Sequence, residues 1–175
     1  MRIIGLAGWS GSGKTTLLTK VLPRLIARGK RVSTLKHAHH NFDVDRPGKD
    51  SFEHRSAGAT EVLVVSGNRW ALMHELRGAP EPLLPELLEK LSNVDLVLIE
   101  GFKRESFPKL EVHRVTNGKP LLQGDDGWIV AVASDTPLPH ATVPVIDLND
   151  IEGIADLLLA QALPISAIRA RADAV

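Results

Sequence analysis

An α/β fold with a largely parallel sheet and an antiparallel extension is predicted by three features of the sequence. Short apolar runs at residues 3–7, 31–36, 95–100, 129–133 and 143–146 alternate with helical patterns at 15–27, 81–91 and 151–162, the layout of strands joined through helices. The run Asp95-Leu96-Val97-Leu98-Ile99-Glu100 is continuously apolar between acidic ends, as in a strand covered on both faces. Finally, residues 61–66 and 69–74 flank Gly67-Asn68, a spacing that reads as a hairpin.

The first strand, 3–7, empties into glycines. In the helix that follows, Leu17, Leu18, Val21, Leu22, Leu25 and Ile26 recur at intervals of one, three and four, which makes one apolar face. Pro23 lies inside that pattern and removes an amide donor, so a kink is expected there. Gly29 closes the helix before the second strand. Residues 38–56 are polar and carry Pro47-Gly48; they read as loop, with a short helix opening near Asp50 or Ser51, either able to cap its first turn. Between 81 and 91 five leucines share a face. The segment 110–115 alternates as a strand and, with the hairpin, is expected in the antiparallel edge or extension. A turn at 124–127 precedes the last two strands, and Asp150 is placed to cap the closing helix.

With 175 residues, 43% of them apolar, the chain suits one substantial core. We therefore expect a single domain over 1–162 and a poorly ordered tail at 163–175. Basic and acidic residues balance at 21 each, so no global charge draws the chain to nucleic acid or an anionic membrane. Cysteine is absent, which excludes disulfides and thiolate chemistry. The initial apolar run is too short for a signal peptide or span, and the expectation is a cytoplasmic protein.

Gly8-Trp9-Ser10-Gly11-Ser12-Gly13-Lys14-Thr15 matches G-x-x-x-x-G-K-T, between a predicted strand and a predicted helix, as the phosphate-loop pattern requires. Glycines allow successive amides to turn inward on phosphate oxygens, and the helix start adds free amides and its positive dipole end. Lys14 would reach the β and γ phosphates, the Thr15 hydroxyl would ligate magnesium, and Thr16 continues the site. The plain alternative is an empty Gly-Ser turn before a helix. The fold expected is therefore three-layered and P-loop NTPase-like.

Glu100 ends a buried strand on the edge where ligands of open α/β sheets gather; it reads as a magnesium-shell or water-orienting acid, or as a core-edge group. Asp95, at the opposite end, reads as structural. Lys36, His37, His39 and His40 follow the second strand and suit phosphate or partner recognition, a metal site shared with Asp43 or Asp45, or a solvated loop. Asp43, Asp45 and Asp50 lie where switch segments couple magnesium to loop position, with Asp50 and Ser51 preferred; a polar turn is the alternative. Lys103, Arg104, Lys109 and Arg114 suit an anionic pterin or phosphate, an acidic partner, or scattered surface charge. Asp135 stands after a late strand where a carboxylate could accept from a guanine edge, or make an ordinary turn. No transition-state arginine or glutamine is evident.

Three stretches, Gly8 to Leu17, Leu35 to Ala59 and Leu96 to Arg114, with the weaker Val130 to Asp135, resemble the molybdopterin-guanine dinucleotide biosynthesis adaptor proteins, the MobB family. The histidine-rich string ahead of Pro47-Gly48-Lys49-Asp50-Ser51 and the Glu100-Gly101-Phe102-Lys103 motif carry the specificity of that resemblance. It implies a homodimer that binds GTP with magnesium, hydrolyses it weakly, and associates with the guanylyltransferase that attaches GMP to molybdopterin and with the molybdenum insertion proteins. By position, Gly13, Lys14 and Thr15 would hold phosphates and magnesium. Lys36, His37, His39 and His40 would lie by the nucleotide, Asp50 and Ser51 in a switch-like segment, and Glu100 in the second acidic motif. Trp9, Ser10, Gly11 and Ser12 supply no early lysine of the kind that acts across a dimer.

Overall fold

The computed structural model describes residues 1–38, 42–102 and 105–172, with side chains to 168. Met1–His37 with Leu88–Val175 forms one compact unit and Ala38–Leu87 another. The fold is α/β and P-loop NTPase-like, with a mostly parallel sheet in the first unit and a separate antiparallel pair in the second.

Strand β1 (Arg2–Ala7) lies at the middle of the large sheet because its side chains are apolar on both faces: Ile4 and Leu6 on one, Ile3 on the other, all buried. With β2 (Val32–Lys36), β5 (Leu96–Glu100), β6 (Lys109–His113), β7 (Ile129–Ser134) and β8 (Val145–Asp147), the order is β2-β5-β1-β6-β7-β8. All these neighbours pair in parallel. The short strand β9 (Leu163–Pro164) adds antiparallel to Arg2 and Ile3, and a helix over Ile165–Ala172 follows it.

Helix α1 (Lys14–Ala27) runs through Pro23 and buries Leu17, Val21 and Leu25. It packs beside α4 (Ile151–Gln161), whose Ile154, Ala155 and Leu158 join the same core as Ile4, Leu6, Leu98, Leu110 and Val112. The Asp150 carboxylate accepts the Gly153 amide at 2.9 Å, so the expected cap is made.

The second unit holds α2 (Asp50–Ser56) and the hairpin β3 (Glu61–Val65) and β4 (Trp70–His74). Lys49, not Asp50 or Ser51, is the cap residue of α2, and no side chain caps it. Ser51 is engaged instead by Asp45, to which its hydroxyl donates at 2.9 Å. Helix α3 (Leu84–Glu89) is shorter than the leucine pattern suggests, because Pro82 and Pro85 lack amides and restrict the residues before them. Glu86 reaches back to accept the Leu83 amide at 2.7 Å, the reciprocal half of a capping box.

A second expectation is overturned. The strand at 110–115 is neither an edge nor part of an antiparallel extension: β6 lies between β1 and β7 and is parallel to both. Two charged residues are sealed within it: Lys109 and Glu111 are each only 1% exposed. Distant partners satisfy them: Lys109 Nζ meets Asp126 at 2.9 Å and the Glu105 carbonyl at 2.7 Å, and Glu111 accepts the amides of Leu122 and Gln123.

Candidate functional site

The sheet register assembles the site. Leu6, Lys36 and Glu100 are level partners across β1, β2 and β5, so the phosphate loop, Lys36 and Glu100 emerge together at the carboxyl edge of three neighbouring strands. They line a cleft of about 380 Å³ with Ser10, Gly11, Gly13, Lys14, Thr15 and Thr16.

Gly13 is the N-cap of α1, at φ 94°, and no side chain caps the helix, so the first-turn amides have no side-chain acceptor. A Cβ at Gly8, where φ is 139°, would meet the Val112 carbonyl oxygen at 2.6 Å, so the loop leaves β1 too close to β6 for any side chain. Lys14 Nζ donates to the carbonyls of Gly8 and Trp9, both at 2.9 Å. The Ser12 hydroxyl is buried and has no hydrogen-bond partner among the described residues.

The Thr15 hydroxyl donates to Glu100, its oxygen 3.4 Å from each carboxylate oxygen, and Lys36 Nζ lies 3.8 Å from Oε1. Two oxygens bound cis on an octahedral magnesium at about 2.1 Å would be about 3.0 Å apart. Hard oxygen donors at nearly that separation fit the ion with little movement. Among the described residues no three His, Cys, Asp or Glu side chains converge on one point, and a magnesium site completed by phosphate and water needs no such cage.

The other predicted residues distribute as follows. His37 packs on the Phe102 ring with centroids 4.8 Å apart, immediately past β2 and β5, while His39 and His40 fall outside the described residues. Asp50 is the first residue of α2 in the second unit. Asp43 and Asp45, considered as metal ligands, are engaged by Arg55, at 2.7 Å and 3.7 Å. That guanidinium, helped by the Asp45 amide, holds the Asp43 carboxyl below the usual range. Asp95 binds the Arg31 amide at 2.8 Å at the far end of β5, a structural staple as its position suggested.

The cationic series does not form one patch. Lys103 and Arg104 lie outside the described residues, and Lys109 is buried. Arg114, by contrast, sits at the phosphate loop, its Nε 3.0 Å from where a Gly13 Cβ would be. The sequence marks Arg114 as suited to a phosphate but does not disclose its place against the loop, nor the two further contacts that hold the loop. Asn117 Nδ2 donates to the Ser10 carbonyl at 3.0 Å, and Trp9 Nε1 donates to Pro120 at 2.8 Å. Asn117-Gly118 signals a turn in the sequence; nothing local signals what the turn touches. Asp135 follows β7, accepting the Val115 amide at 3.1 Å and facing Arg114 Nη1 at 3.6 Å.

A phosphate-loop sequence at the end of a central parallel strand, with an acid ending the neighbouring strand, defines a protein of the P-loop NTPase-like fold class. The particular family follows from comparison. The family model described as molybdopterin guanine dinucleotide synthesis protein B matches residues 3–135. The Escherichia coli molybdopterin-guanine dinucleotide biosynthesis adapter protein is 46% identical over 160 residues, spanning 90% of this chain and 91% of that protein. The Haemophilus influenzae protein of the same description is 44% identical over 159 residues, 89% of this chain and 86% of its own. A crystal structure titled molybdopterin-guanine biosynthesis protein B superposes with a TM-score of 0.72 at 28% identity, covering 90% of this chain and 98% of its own. The chain belongs to the MobB family.

Proposed function

We propose that this chain is a GTP-binding accessory protein with weak intrinsic GTPase activity that assists the guanylylation of the molybdenum cofactor. On this reading it associates with the guanylyltransferase and with molybdenum insertion proteins in the cytoplasm. The observation that carries it is the convergence of the uncapped start of α1, Lys14, Thr15, Lys36 and Glu100 in one cleft, in a chain whose relatives are described as adapter proteins.

The chemistry is that of a polyphosphate site. Lys14 exchanges its bonds to the Gly8 and Trp9 carbonyls for phosphate oxygens, and the Gly11 to Thr16 amides bind the remainder. Thr15 and Glu100 hold the ion, Lys36 offsets the carboxylate, and Asp135 accepts from the guanine edge. Magnesium, when bound, neutralises charge across the phosphate oxygens. His37, His39, His40 and the segment of Asp50 and Ser51 respond to nucleotide occupancy rather than perform chemistry. Turnover is slow because the ion site has a carboxylate but, among the described residues, no glutamine placed to orient water.

The hairpin supports self-association. Its register places Leu63 opposite Leu72 and Val65 opposite Trp70 on one face, and these side chains are 48% to 71% exposed. A continuous apolar stripe on an antiparallel pair suits a second copy of the same chain. A molybdopterin species remains a ligand to be tested with the guanylyltransferase.

The deciding experiment is calorimetric titration with non-hydrolysable GTP and ATP analogues and magnesium, for wild type and Lys14→Ala. Selective GTP binding abolished by the substitution is the expected result. ATP preference, or binding indifferent to Lys14, would refute the reading.

A further inference from the structure

The parallel register of β6 and β7 pairs His113 with Ser134, so Arg114 and Asp135 are the first residues past two adjacent strand ends. Arg114 extends between two features. On one side its Nε and Cζ lie 3.0 and 3.8 Å from the position of a Gly13 Cβ, against the last turn of the phosphate loop. On the other its Nη1 lies 3.6 Å from Asp135 Oδ2, while Oδ1 accepts the Val115 amide at 3.1 Å. One guanidinium therefore touches both the phosphate loop and the Asp135 carboxylate.

We propose that Arg114 is a specificity-determining positioning residue, which fixes the Asp135 carboxylate relative to an occupied phosphate loop so that guanine is selected over adenine. This rests on the nucleotide-binding reading above. Guanine presents N1–H and the N2 amino group side by side as donors; adenine has an acceptor at N1 and no amino group at C2. A carboxylate held at that edge pairs with the first and repels the second, and sites built around such a bond discriminate strongly. Discrimination requires that the acceptor stay fixed, because a carboxylate free to rotate could turn away from the wrong base. The Val115 amide fixes one oxygen, and Arg114 faces the other. A planar guanidinium with several fixed donors can touch Gly13 and Asp135 at once; a lysine ammonium offers one charged point. Both side chains are partly exposed, 35% for Arg114 and 22% for Asp135, and such a pair contributes little to fold stability. Its position against Gly13 of the phosphate loop gives it a different use.

The test is to titrate wild type, Lys14→Ala, Arg114→Ala, Arg114→Lys and Asp135→Asn with non-hydrolysable GTP, ATP and XTP analogues plus magnesium, recording thermal midpoints alongside. We expect Arg114→Ala to lower the ratio of GTP to ATP affinity at least tenfold with an unchanged midpoint, and Arg114→Lys to restore part of that ratio. Asp135→Asn should move preference from GTP toward XTP, whose C2 carbonyl accepts from the new amide. A GTP-to-ATP ratio unchanged in Arg114→Ala overturns the inference, whether or not both affinities fall. Wild-type binding that ignores Lys14 would refute the nucleotide-binding reading itself, and that arm separates the two failures.

Discussion

The parallel sheet unit and the hairpin unit bury their residues in opposite ways. In the first, strands β1 and β5 are almost completely enclosed, and even the charges of β6 are sealed with partners. In the second, α2 has no buried residue and the hairpin exposes Leu63, Val65, Trp70 and Leu72. Its organising group is polar: Arg55 joins Asp43, Asp45 and Glu75, and lies 5.4 Å from the Phe52 ring centroid. The first unit is ordered by its own core, as a scaffold for a ligand must be. The second has an apolar face left over, which is the mark of a surface meant to be covered.

The largest effect should come from the cleft. Lys14→Ala removes charged hydrogen bonds to phosphate, worth about 1.5–3 kcal/mol each, so GTP affinity should fall about a hundredfold or more. Lys14 Nζ donates to the Gly8 and Trp9 carbonyls within its own loop and lies outside the buried core, so the thermal midpoint should move much less than the affinity. A midpoint that collapsed with affinity would mean that Lys14 belongs to the fold rather than to the site.

Next is Glu111→Ala. Two part-buried amides, of Leu122 and Gln123, lose their acceptor, and each donor left unsatisfied costs about 1–3 kcal/mol. We expect about 2–4 kcal/mol in chemical denaturation, with Trp9 fluorescence altered because the adjoining Pro120 carbonyl receives its indole N–H. An unchanged midpoint would show that water replaces the carboxylate and that β6 is less sealed than its partners imply.

The hairpin should behave inversely. Trp70→Asp puts a charge into the apolar stripe and should weaken self-association by about 2 kcal/mol or more, the cost of losing an interface tryptophan. Sedimentation velocity is expected to show a dimer for wild type and a monomer for the variant, with nucleotide affinity retained. If the variant sediments as wild type does, the stripe has some other occupant.

How far the sequence discloses these two units follows the same division. The phosphate loop, Glu100 at its strand end and the hairpin are legible because local period and turn chemistry determine them. The position of β6 is not. Lys109 and Glu111 look like surface residues until Asp126 and the 122–123 amides, far along the chain, are seen to satisfy them. Arg114 is legible only as one of four cations suited to an anion: its place beside Gly13 depends on β6 being adjacent to β1, which local pattern cannot supply. Asp50 was expected to fix a helix start, but its neighbour Lys49 is the cap, since backbone geometry at the turn outranks side-chain preference.

The smallest effect, and the one that divides the units most finely, is on pH. Asp43 in the hairpin unit has a lowered pKa because Arg55 and the Asp45 amide favour its charged form. It therefore contributes stability above the unfolded carboxyl value of about 3.9, and loses it as pH falls through the lower folded value. Glu111 in the sheet unit is shifted the other way, burial outweighing the two amides it accepts. Its folded form takes up a proton above the unfolded value of about 4.3, so acidification through that window favours the native state. Amide exchange from pH 6 to 3 should thus show opening around 43–55 increasing below about pH 4 while Leu122 and Gln123 keep their protection. Arg55→Met should move the first transition up toward the ordinary carboxyl value and leave the second alone. Parallel loss of protection in both segments would mean that the two regions open as one cooperative unit, and that the contrast in burial has no counterpart in their stability.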